Sequence, residues 1–179
     1  MTPDHFARLD LPRRFAVDAA AVEANYLRHS REVHPDFHLQ GPAAERRASL
    51  ETSAALNEAY ATLRDPFRRA EYLLSLEGGP SAAEHRAMSP AFLEEMLELR
   101  MQIEELREGG DRASPALDAL ERQLQQRRRR LSDDLAAPFA EYEALPAGDA
   151  RRPDLLRRVR ELLNTARYIQ GQLRDLRAD

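Results

Sequence analysis

Two groups able to exchange a proton, His34 and Asp36, stand on either side of Pro35, between stretches with helical patterning. An imidazole and a carboxylate this close could form an acid–base dyad. His34 and His38 also have the i,i+4 spacing of metal ligands on a helix. The surrounding sequence completes neither chemistry. Pro35 bars helix at its own position and steers His34 away from the α region, so residues 34 and 38 do not share a helical face. No third ligand is evident, and nothing nearby supplies a nucleophile or an oxyanion pocket. The residues themselves give a stiff loop that displays one imidazole and one carboxylate, with a plain connection and an acid–base dyad as the alternatives.

The elements that must hold this loop read as helices, and no run of alternating β-branched residues argues for a strand. Asp18 is placed as an N-cap for a helix over 19–33, with Val22, Tyr26 and Val33 among its apolar positions. The loop over 34–42 follows. A second helix is expected over 43–63, with Leu50, Leu56, Ala59, Tyr60 and Leu63 as its inner stripe. Asp65-Pro66 joins a cap to an N1 proline and opens a short helix to Leu76, which Gly78-Gly79-Pro80 stops. Three more helices are expected beyond a linker. Ser89-Pro90 opens one that runs to Glu108, and Ser114-Pro115 opens another, which Pro138 should kink or break before Phe139. Pro153 opens the last, whose apolar face is traced by Leu155, Leu156, Val159, Leu162, Leu163, Ala166, Ile169, Leu173 and Leu176. The expected fold is all-α, in two parts: residues 1–77, a linker over 78–88, and a three-helix bundle over 89–179.

Composition narrows the function classes. The chain has 179 residues, 42% hydrophobic and 32% charged, and carries no apolar run long enough to span a membrane. The first fourteen residues include Asp4, His5, Arg8 and Asp10 and lack an apolar core, so a secretory signal is not expected. Absence of cysteine excludes disulfides and thiolate chemistry and favours a cytoplasmic setting. All 27 basic residues are arginine, and the net charge of −4 argues against nonspecific nucleic-acid binding. The run Arg127 to Arg130 does not reverse that reading. Successive helical residues turn by about 100°, so four in a row encircle a helix, and Asp133 and Asp134 follow at once. No metal site, cofactor motif or phosphate loop is found.

Other residues share faces suited to partners. Arg28 and Arg31, three apart, present positive charge just before the loop; the alternative is a solvated face with Glu32 beside it. His29 is expected to be partly buried rather than a ligand. Leu93 and Leu97 share a face of a helix where Phe92, Met96, Leu99, Ile103 and Leu106 already suffice for a core. They either pack inside the bundle or meet another protein.

Taken together, these residues resemble a J-domain and, more narrowly, the HscB family of J-type co-chaperones of iron–sulfur cluster assembly. The resemblance rests on Phe6-Ala7-Arg8-Leu9, Phe15-Ala16-Val17-Asp18, the stretch from Tyr26 to Val33, His34-Pro35-Asp36, Asn57-Glu58-Ala59-Tyr60, and above all the run from Leu63 to Leu74. It continues more thinly through Phe92 to Arg100 and Arg167-Tyr168. His29 stands where leucine is usual, Phe37 and His38 follow the tripeptide where a basic residue is common, and Met101 replaces a frequent acidic residue. The cysteine-rich N-terminal module of some eukaryotic relatives is not expected in this cysteine-free sequence, which suits the bacterial type. The resemblance implies a co-chaperone that is not itself an enzyme. His34, Pro35, Asp36, Arg28 and Arg31 would engage an ATP-dependent chaperone of HscA or DnaK type. Leu93, Leu97 and Tyr168, flanked by Glu98 and Met101, would hold the scaffold protein IscU. The alternative is a general J-protein whose bundle binds another client.

Overall fold

The computed structural model describes residues 3–33, 42–108 and 115–177, and among them every regular element is an α-helix. The tripeptide His34-Pro35-Asp36 lies outside the described residues. The chain divides into two compact units, Met1–Leu73 and Leu74–Asp179.

The first unit is built on α1 (His5–Arg8), α2 (Ala19–Glu32), α3 (Ala43–Arg64) and most of α4 (Pro66–Leu76). The Asp18 carboxylate accepts from the Ala20 N–H at 2.9 Å and starts α2. Asp65 does the same for α4 by accepting from Phe67 and Arg68. Side-chain pairing shows that α2 and α3 run antiparallel. Glu23 meets Tyr60, Tyr26 donates to Asn57 at 2.9 Å, and Ser49 donates to the Val33 carbonyl at 3.2 Å. Phe6, Leu9, Phe15, Val22, Leu56, Ala59, Leu63, Ala70 and Leu73 fill the core. Leu50 does not join them: it is 57% exposed, whereas Ser49 is buried. The buried line runs Ser49–Leu56–Leu63 at seven-residue spacing, and Leu50 lies about 100° round the helix from it.

The second unit contains α5 (Pro90–Glu108), α6 (Pro115–Asp134), α7 (Ala136–Ala144) and α8 (Arg152–Arg177). α8 packs against α6 and α7, and α5 packs against α6 and α8. The expected three-helix bundle thus has its middle helix broken in two. The break falls at Leu135, three residues ahead of Pro138, because the proline ring clashes with the carbonyl four residues back, that of Asp134. Pro138 then sits in the first turn of α7, where no helical N–H is needed.

Residues 78–88 are laced to this unit. α4 ends in a glycine turn: the Gly79 N–H donates to the Leu74 carbonyl at 2.9 Å and Gly78 to Ser75 at 3.2 Å, with Gly78 at φ +71°. Arg160, fully buried on α8, donates from Nε to the Pro80 carbonyl at 2.9 Å. Asn164 donates to the His85 carbonyl at 2.9 Å.

Candidate functional site

Two faces carry the residues singled out by sequence. On α2, Arg28 and Arg31 differ in circumstance. Arg28 Nη2 is 2.7 Å from Asp10 Oδ2, and His29 Nε2 reaches the same oxygen at 2.8 Å. His29 Nδ1 also lies 3.3 Å from Glu32, so the ring is a half-buried bridge between two carboxylates. Asp10 holds this place with φ +50°, a left-handed conformation that aspartate tolerates better than most residues. Arg31 is exposed and has no carboxylate partner among the described residues. At the end of α2 the Val33 carbonyl is pinned by the Ser49 hydroxyl.

The face on α5 begins with its cap. The Phe92 N–H donates to the Ser89 hydroxyl at 3.2 Å, and Pro90 occupies the first helical position. Met96 and Ile103, seven residues apart, are buried at 3% and 2% exposure and fix which side of α5 meets the bundle. Leu93, Leu97 and Met101 advance by four residues each, so they form an oblique stripe spanning about 80° on another side. They are 41%, 60% and 61% exposed, and Tyr168 on α8 is 47% exposed. The packing alternative for Leu93 and Leu97 therefore fails: the core does not use them.

Leu93 and Tyr168 line one groove of about 420 Å³, together with Met88, Arg86, Arg167 and Asn164. Leu97 and Met101 continue the apolar stripe beyond it. Glu98 is placed apart from that groove. It lies about 140° round α5 from Leu93 and lines a cleft toward α6 with Leu99, Leu124 and Arg127.

Sequence reasoning missed a cluster beside this face. Arg127 forks onto Glu95, with Nη1 on Oε1 and Nη2 on Oε2 at 2.9 Å, and its guanidinium carbon sits 5.3 Å from the centroid of the Phe92 ring. Hydrogen bonding from Arg127 holds the Glu95 carboxyl below the usual range. Phe92 in turn meets Tyr168 edge-on, centroids 6.1 Å apart at 86°. Within the run Arg127 to Arg130, Arg129 and Arg130 are exposed, but Arg127 is half-buried and engaged. The only signal in the sequence was the presence of Phe92 and Glu95 three apart on one helix. Among the described residues, no group of three His, Cys, Asp or Glu side chains could hold a metal ion, and no helix is long and apolar enough to cross a membrane.

Comparison with known proteins bears on both units. Residues 88–175 match the family profile described as the HSCB C-terminal oligomerisation domain. A co-chaperone protein HscB homolog from Cupriavidus taiwanensis is 42% identical over 150 residues, covering 83% of this chain and 84% of the relative. Its counterpart from Paraburkholderia xenovorans is 39% identical over 153 residues, covering 85% and 86%. Among solved structures, chaperone HscB from Vibrio cholerae superposes with a TM-score of 0.78 at 25% identity over 98% of this chain and 96% of that one. Human co-chaperone protein HscB also gives 0.78, at 28% identity, covering 98% and 81%. The expected all-α fold, a helical hairpin unit of J-domain type followed by a helical bundle, is the fold these chains share.

Proposed function

Since the chain belongs to the HscB family of co-chaperones, we propose that it stimulates ATP hydrolysis by an HscA- or DnaK-type chaperone and delivers an IscU-type scaffold protein to it during iron–sulfur cluster maturation. Residues 1–77 act as the J-domain, 78–88 as the connection and 89–179 as the scaffold-binding part. Arg28, Arg31, His34, Pro35 and Asp36 contact the chaperone. Leu93, Leu97 and Tyr168, with Met101 and Glu98 at the margins, contact the scaffold. The chain works in the cytoplasm by binding rather than by turnover of its own. The observation that best supports this reading is the exposure of Leu93, Leu97, Met101 and Tyr168 in a unit whose core is complete without them. Exposed apolar side chains gathered on one face are what a protein partner requires.

The energetics are those of linkage. A co-chaperone that binds one chaperone state more tightly shifts the population by that difference in affinity. Carrying the client on the same chain raises its effective concentration at the chaperone. The decisive test is steady-state ATPase of the chaperone with scaffold present. The wild-type chain stimulates strongly and His34→Gln does not; equal stimulation by both overturns the chaperone assignment. In a parallel pull-down, Leu93→Ala with Leu97→Ala loses the scaffold, and undiminished retention overturns the scaffold assignment.

A further inference from the structure

Tyr168 is the one member of the proposed scaffold face contributed by α8, and nearly half of its surface is open. An exposed ring on a helix samples several rotamers, and ordering it on association weakens binding. Here one orientation is favoured before any partner arrives. The rings of Tyr168 and Phe92 of α5 meet at 6.1 Å and 86°, the T-shaped geometry that aromatic quadrupoles prefer.

Phe92 needs support of its own. It borders a second open groove of about 660 Å³, lined also by Arg127, Glu95, Leu131 and Leu162. The ring is only half-buried, so core packing alone does not fix it. Arg127 does: its guanidinium lies over Phe92 at 5.3 Å, and its fork onto Glu95 keeps that plane from swinging away. Glu95 is three residues beyond Phe92 on the same helix, so both anchor points move with α5. Side chains from α5, α6 and α8 thus form one chain of contacts ending at Tyr168.

We propose that Phe92, braced by the Arg127–Glu95 fork, is a positioning residue that pre-orients Tyr168 for docking of the scaffold protein. The proposal rests on reading Leu93, Leu97 and Tyr168 as the scaffold face. It assigns Arg127 a role distinct from that of its neighbours in the arginine run. Removing the ring while keeping an apolar side chain should leave the fold intact and weaken docking, because Tyr168 must then be ordered by the partner.

The test is calorimetric titration of the full chain with an IscU-type scaffold protein. Phe92→Leu weakens binding by about fivefold, the scale of one aromatic-pair contact, and Phe92→Tyr, which restores a ring, binds within about twofold of wild type. Arg127→Met weakens binding by about threefold, the scale of one cation–π contact. In a double-mutant cycle, Phe92→Leu adds nothing to Tyr168→Ala, a coupling that general destabilisation would not produce. Wild-type affinity in Phe92→Leu, equal losses in Phe92→Leu and Phe92→Tyr, or strict additivity with Tyr168→Ala overturns the positioning role. Leu93→Ala with Leu97→Ala separates the two levels. If that pair leaves binding unchanged, the scaffold-face reading falls and the positioning role with it; if it abolishes binding while Phe92→Leu does not weaken it, only the positioning role falls.

Discussion

α8 and α5 belong to the same unit, are both long and both carry abundant leucine, yet they treat their apolar residues in opposite ways. α8 buries Leu156, Val159, Leu163, Ala166, Ile169 and Leu173 along one stripe, as a helix at the centre of a bundle must. α5 buries Met96 and Ile103 and leaves Leu93, Leu97 and Met101 largely open. Composition does not separate the two helices; the pattern does. In α8 the buried apolar residues recur at steps of three and four on one side, with Leu155, Leu162 and Leu176 half-buried, whereas in α5 the apolar residues occupy several angles and a single neighbouring surface cannot cover them all. Apolar residues in excess of what the bundle can cover are what set α5 apart from α8.

Substitutions on each helix give the largest effect by which this contrast can be broken. Ile169 has no exposed surface, and Ile169→Ala should cost about 2–5 kcal/mol through lost transfer energy and the cavity left behind. Leu97→Ala should change stability by less than about 0.5 kcal/mol, the range for surface positions. Urea unfolding of the two variants decides the matter. Comparable losses would place Leu97 in the core and remove the basis for a docking face.

Much of the scaffold of this contrast was legible in the sequence, because caps and prolines act locally. Asp18, Asp65-Pro66 and Ser89-Pro90 start helices where their side chains and ring geometry demand. The seven-residue spacing of Met96 and Ile103 hid among other apolar residues, so sequence left open whether Leu93 and Leu97 were inside; only the neighbours of α5 resolve it. Leu50 misleads because its hydrophobicity competes with register: Ser49, whose hydroxyl finds the Val33 carbonyl, is buried in its place at little cost. α1 went unread, since four residues are too few for a period to show. The Arg127–Glu95 fork joins residues 32 apart, and no local rule reaches across that separation.

Arg160 was unreadable for a related reason, and it sharpens the comparison at an intermediate magnitude. It sits on the buried line of α8, where an isolated arginine is rare. Its Nε donates to the Pro80 carbonyl, so it ties down the segment whose Ala82, Ala83, Arg86 and Met88 form a wall of the Leu93–Tyr168 groove. The buried side of α8 thereby shapes the open side of α5. Arg160→Met leaves that carbonyl without its donor and should destabilise by about 1–3 kcal/mol. Amide exchange should quicken over residues 80–88 more than over α6; uniform protection across the unit would show that the tie is immaterial.

The smallest expected effect concerns how the two helices begin. α5 is capped by the hydroxyl of Ser89, which does not titrate, whereas the start of α8 is organised by a carboxylate. Asp149 accepts from the Arg151 backbone N–H at 2.9 Å and from its guanidinium at 3.0 Å, and its carbonyl accepts from the Arg152 N–H at 3.1 Å. The side-chain hydrogen bond from Arg151, then the backbone one, lower its pKa from 3.8 to about 2. A carboxyl depressed in the folded state stabilises fully above its unfolded pKa, and that contribution is lost as pH falls through the folded value. Anchoring of α8 by this group should therefore persist down to about pH 4 and fade toward about pH 2, while the start of α5 shows no such dependence. A carbon-detected NMR titration of the Asp149 carboxyl should give a midpoint near 2, moving toward 3.8 in Arg151→Ala. A midpoint already near 3.8 in the wild-type chain would mean that the two helix starts do not differ in this way.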